Sequence, residues 1–80
     1  MCYVYLIKSI RFPDQCYVGF TANIKERLKA HDYGKSIHTA KYIPWILHAY
    51  FSFVSKAKAI EFEKYLKSHS GRAFSKNHFW

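Results

Sequence analysis

The stretch CYVYLIKS at residues 2–9 carries large apolar or aromatic side chains on both of its faces. In extended backbone, successive side chains point to opposite sides. Tyr3, Tyr5 and Ile7 therefore share one face, and Val4 and Leu6 share the other. A strand that is apolar on both faces has to be covered on both, which makes it the central strand around which the rest is arranged. RFPDQ at residues 11–15 holds a Pro-Asp pair and reads as a hairpin turn, with CYVGF at 16–20 as the return strand. Gly19 within that strand implies a close approach to its backbone, since glycine otherwise only weakens a strand.

Asn23 and Glu26 have capping-box spacing, so a helix is expected to begin near residues 21–23. It should run through NIKERLKAHDY and stop at Gly34 as its C-cap. Residues 35–42 read as irregular or as a short helical turn. Beyond Pro44, WILHAYFSFV has the aromatic and β-branched content of a third strand. Ser55 can cap a second long helix, KAKAIEFEKYLKSHS, ending near Gly71. The basic tail RAFSKNHFW is expected to form a short terminal helix docked through Phe74, Phe79 and Trp80. Tyr33, Tyr42 and Tyr50 read as packing residues. The order ββαβα predicts an α+β fold, a three-stranded antiparallel sheet flanked by helices, with residues 1–80 forming a single domain.

Eighty residues, half of them apolar and a fifth aromatic, supply one core and argue against disorder. Thirteen Lys and Arg against five Asp and Glu give a formal charge of +8, a field suited to a polyanion such as DNA or RNA. Cys2 and Cys16 form no CxxC pair and have no partners at zinc spacing, so they read as reduced, strand-borne thiols. With no apolar run of membrane-spanning length and no signal-peptide start, the expectation is a soluble, cytoplasmic chain.

Two helical positions carry candidate chemistry. Ala59, Phe62, Glu63 and Leu66 fall at i, i+3, i+4 and i+7, one helix face, and three of them are apolar. A carboxylate on such a face has to be paired, protonated or metal-bound, and Lys67 one turn on offers the plain ion pair. The helix alone leaves both readings of Glu63 open. Glu61 lies on the flank with Lys58 and Lys64, where a solvated pair is expected. In the first helix, Arg27 and His31 are four apart and project together beside the apolar stripe of Ile24 and Leu28. A guanidinium suits phosphate and an imidazole can relay protons, although Lys25 and Lys29 make a merely solvated basic face the simpler reading. His38, His48, His69 and His78 share no spacing and read as surface or strand histidines.

Taken in order, these pieces resemble the GIY-YIG nuclease superfamily, in particular its small stand-alone single-domain members and the catalytic domain of the excision-repair incision subunit. YVY at 3–5 and YVG at 17–19 are similar to the two naming tripeptides. FTANIKERLKAH resembles the segment that follows them, and KAKAIEFEKYLKSHSGRAF the later helical segment. The resemblance covers nearly the whole chain and implies a catalytic set of Tyr5, Tyr17, Arg27, His31 and Glu63. It implies that Glu63 holds one divalent cation, Mg²⁺ or Mn²⁺, and that Arg27 stabilises the scissile phosphate. It further implies that the tyrosines and His31 position or deprotonate the attacking water. On this reading the partner is nucleic acid, DNA ahead of RNA, and the lone carboxylate is a metal ligand. Tyr3 stands where the family name has Gly, Phe20 where some members carry Lys, and Asn77 does not match cleanly the Asn that some members use. The alternative is a nucleic-acid-binding module of the nuclease fold with little or no turnover.

Overall fold

Three strands form one antiparallel sheet in the order β2-β1-β3: β1 is Cys2–Ser9, β2 is Cys16–Thr21 and β3 is Trp45–Phe53. The computed structural model describes residues 1–34 and 37–80, with the side chains of Ile37 and His38 also outside the description. The expectations for residues 35 and 36 and for the His38 side chain thus fall outside the described residues. β1 is central, and Val4, Tyr5, Leu6 and Ile7 are all fully buried. Each large apolar side chain so removed from water contributes about 1.5–3 kcal/mol.

The two faces of β1 feed two cores. Val4 and Leu6 join Ala59 and Leu66, with Phe51, Phe62, Phe79 and Trp80 packed around them. Tyr5 and Ile7 join Trp45, with Tyr17, Leu28, Tyr42 and Leu47 against them. The first core is roofed by α3 (Lys56–Lys67) together with Phe79 and Trp80, which follow α4 (His69–His78), and the second by α1 (Ile24–Asp32) with Tyr42 and Ile43, which follow the short α2 (Ile37–Ala40). A register shift between Leu6 and Ile7 passes over His48, which instead hydrogen-bonds the Phe79 carbonyl oxygen and packs on Trp80. No helix among the described residues is long and apolar enough to cross a membrane.

The α+β architecture is the one expected, and three details differ. Asn23 caps α1, its side chain accepting from the Glu26 N–H, but the helix ends at Asp32 with Tyr33 as C-cap; Gly34 is the residue beyond, at φ +72°. The long second helix stops at Lys67, not near Gly71. Ser68 closes α3 by donating its N–H to the Tyr65 carbonyl, and caps α4 by accepting the Gly71 N–H on its hydroxyl. One serine turns the chain, and the tail becomes a ten-residue helix. Tyr33, expected to pack, is 75% exposed, because it stands where α1 has already ended.

Candidate active site

Tyr5 and Gly19 are directly paired across β1 and β2. A Cβ built on Gly19 would overlap the Tyr5 phenol, including its Cε1 at 2.7 Å. The close approach implied by a strand glycine is therefore made by this ring, and no space remains there for phosphate or water. Gly19→Ala must push Tyr5 off its position. We expect a loss of about 1–3 kcal/mol, typical of overpacking, readable as a lower urea midpoint.

The ring so placed is the hub of a hydrogen-bonded chain. Arg27 Nε donates to the Tyr5 hydroxyl oxygen (3.1 Å), and that hydroxyl lies 2.9 Å from His31 Nε2. His31 Nδ1 lies 2.7 Å from Thr39 Oγ1. Because Arg27 occupies the phenol oxygen as a donor, the phenol proton is directed to Nε2, and the Nδ1 proton of a neutral imidazole goes to Thr39. The Thr39 carbonyl accepts from Trp45 Nε1 (2.9 Å), and Asp32 Oδ1 accepts from the Trp45 backbone N–H (3.0 Å). The run therefore ties α1 through β1 to α2 and β3. Sequence reasoning missed Thr39, Asp32 and Trp45 as supports, since neither their spacing nor their type sets them apart.

Electrostatics follow from depth. Burial pushes the Tyr5 phenol up from its ordinary value; Arg27 opposes this, while the nearby Tyr17 and Glu63 charges add to it. Burial, with the Arg27 charge, pulls His31 down. Arg27 is itself pushed up, first by its hydrogen bond to Tyr5 and then by the Tyr5 charge. The imidazole is therefore neutral at neutral pH, as its place between Tyr5 and Thr39 requires. Unfolding lets it bind a proton more readily, so the unfolded state holds more protons just below pH 6.5, the ordinary value. The stability tied to the neutral ring is full above that pH and declines as pH falls through it. The melting midpoint should drop by on the order of a few degrees on acidification through this range, and His31→Gln should flatten that part of the curve.

The five residues singled out by the sequence come together in two tiers. Tyr5 and His31 are fully buried. Tyr17 is half-buried, Arg27 exposed and Glu63 partly shielded. The Tyr17 ring lies 5.2 Å from His31 and 6.3 Å from Tyr5, centroid to centroid, and Tyr17 is near enough to Arg27 to act on its charge. Glu63 approaches from α3 at the β2 edge of the sheet. Its Oε2 is 3.4 Å from Lys67 Nζ, and the same ammonium stands 5.5 Å from the centre of the Tyr17 ring. Ala59 and Leu66 on that helix face are buried, whereas the Glu63 side chain keeps 20% of its exposure. The ion-pair reading of Glu63 is what the unliganded arrangement displays. Glu61 pairs with Lys58 at 3.7 Å in full solvent.

Among the described residues, no three His, Cys, Asp or Glu side chains gather as a metal-binding cluster. The donor set is thus one accessible carboxylate. It fits a hard divalent cation that takes a single protein oxygen and completes its shell with water and phosphate oxygens, and it would not suit zinc, which asks for three or four nitrogen or sulfur ligands.

The profile of the GIY-YIG catalytic domain matches residues 1–77, and the chain belongs to that family. It is similar to a "structure-specific endonuclease subunit SLX1 homolog" of Giardia intestinalis, 33% identical over 66 residues. That match covers 78% of this chain and 18% of the relative. The homolog of Drosophila persimilis is 39% identical over 72 residues, covering 75% of this chain and 24% of the relative. The chain therefore spans about a quarter or less of the length of these relatives. Among solved structures, the solution structure of the UPF0213 protein of Bacillus halodurans is similar at TM-score 0.57 and 30% identity, covering 96% of this chain and 82% of that one.

Proposed function

We propose that this chain is a divalent-metal-dependent endonuclease that hydrolyses phosphodiester bonds in DNA, structure-selective or weakly specific, acting in repair or processing. The observation that carries the reading is the two-tier site: an accessible phenol, guanidinium and carboxylate backed by the buried Tyr5–His31–Thr39 chain. Family membership and the similarity to structure-specific endonuclease subunits support the same conclusion.

In the proposed reaction water attacks phosphorus and one P–O ester bond breaks, leaving a phosphate monoester and a hydroxyl. Arg27 faces the developing charge on the phosphoryl oxygens; its Nε is held by Tyr5, which fixes the guanidinium at the exposed edge of the site. Tyr17 is the accessible tyrosine: its phenolate takes up the water proton and becomes the neutral phenol. Tyr5 and His31, sealed from solvent, position Arg27 and Tyr17 from behind. Glu63 would hold Mg²⁺ or Mn²⁺, which when bound would supply charge neutralisation for the leaving oxygen.

The test is incubation with labelled branched and linear DNA and RNA in Mg²⁺, Mn²⁺ or EDTA. Metal-dependent cleavage, strongest on a branched DNA, is expected. Salt-sensitive binding with no cleavage under any metal would instead favour a binding module of the same fold.

A further inference from the structure

Beside the site, a groove of about 420 Å³ opens between the start of β2 and the α3–α4 turn, within the ~300–1,000 Å³ range of small-ligand clefts. Tyr17 belongs to its lining, so the groove begins at the site itself. From there it passes Cys16, Lys67 and Arg72 to Ser75 and Trp80. None of these last five has a part in the proposed chemistry. Two cationic side chains line it against a single acidic one, Asp14. Trp80 presents a half-buried indole held in place by His48, 4.9 Å away.

Ser75 supplies the independent observation. It is 2% exposed and lines the groove, yet its hydroxyl has no hydrogen-bond partner among the described residues. A helical serine usually satisfies itself by turning back to the carbonyl one turn earlier, and a buried hydroxyl left without any partner is costly. An orphan hydroxyl, two cations and an indole in one groove are the elements that hold a nucleotide: donors for its polar edge, charge for its phosphate, and a ring for its base.

We propose that this groove binds the nucleotide next to the scissile phosphate in an unpaired stretch of the substrate strand. Its phosphate lies between Lys67 and Arg72, and its base lies against Trp80 within reach of Ser75 Oγ. The proposal rests on the nuclease reading above for the direction in which the strand leaves the site. It would also give the structure selectivity proposed above, because only an unpaired nucleotide can enter a groove of this kind.

The experiment uses the full chain in EDTA, so that no turnover occurs, with a short oligothymidylate as the probe. Binding should quench tryptophan fluorescence and slow maleimide alkylation of the exposed Cys16 several-fold in a Cys2→Ser background. Arg72→Gln should weaken binding and lower the salt slope by about 0.7, one phosphate contact on a single strand. Ser75→Ala should raise the melting midpoint by roughly a few degrees by removing the unsatisfied hydroxyl, while weakening binding. The proposal is overturned if the probe leaves both Cys16 alkylation and fluorescence unchanged, or if Arg72→Gln and Ser75→Ala bind as wild type does. A Ser75→Ala variant that melts earlier and binds normally also overturns it. Metal-dependent cleavage with a silent groove would sink the subsite alone. A responsive groove with no cleavage under any metal would sink the nuclease reading and leave the groove as a nucleic-acid-binding site.

Discussion

Glu63→Gln is expected to lower the cleavage rate by on the order of 10³ or more while DNA affinity changes little. Glutamine keeps the shape of the side chain and loses the charge that would hold a cation. Among the described residues, the ionic contact given up is the pair with Lys67, at 3.4 Å between neighbouring helical turns, worth about 0.3–0.5 kcal/mol. Folding should therefore be nearly unaffected, and thermal melting of the variant controls for that. The measurement is single-turnover cleavage across a Mg²⁺ titration, with binding followed separately by anisotropy in EDTA. Wild-type rates in the glutamine variant, or undiminished cleavage by the native chain in EDTA, would take Glu63 out of the site.

The two tyrosines should respond to phenylalanine in opposite ways. Tyr5→Phe removes the oxygen that accepts from Arg27 Nε and the proton directed to His31 Nε2, orphaning a buried imidazole nitrogen. It should cost about 1–3 kcal/mol of stability and lower the rate without reshaping the pH profile. Tyr17→Phe leaves the buried chain whole. Its stability should stay within about 0.5 kcal/mol of wild type, while the rate falls by on the order of 10² or more and the basic dependence of the profile changes. Paired chemical unfolding and pH–rate profiles separate the two cases. If Tyr17→Phe keeps the wild-type profile, the proton goes elsewhere and Tyr17 serves only to contact the substrate.

Much of this was legible in the residue order, for identifiable reasons. The two-sided apolar run of β1 could only be a central strand, and Tyr5, Ile7, Val4 and Leu6 divide between the two cores as alternation requires. The capping boundary at Asn23 and the strand after Pro44 are local signals, and local signals survive folding. What failed to show was depth and partnership. Arg27 and His31 look alike on a helical wheel, yet one is in solvent and the other fully buried, because His31 is enclosed between Tyr5 and Thr39 whereas Arg27 reaches Tyr5 only through its Nε. Gly19 announced a close approach without naming Tyr5 as what approaches. The break at Ser68 was hidden because Leu66 and Lys67 before it are good helix formers and Gly71 beyond it reads as the stop, while the turn depends on one hydroxyl bonding back to the first turn of the next helix.

The burial of Tyr5 and His31 bears on how kin of this chain should be read. These two side chains hold α1 against β1 whether or not any bond is ever cut. A descendant that had given up hydrolysis would still be held to them, because losing either costs stability. Their presence in a sequence is a signature of architecture. Arg27 and Glu63 carry no such obligation, and Tyr17 only in part, since solvent reaches each of them and only the Tyr17 ring lies against a core. A lineage freed from catalysis could shed these three first, so a search for working members of the group should weigh the outer three positions and set the inner two aside.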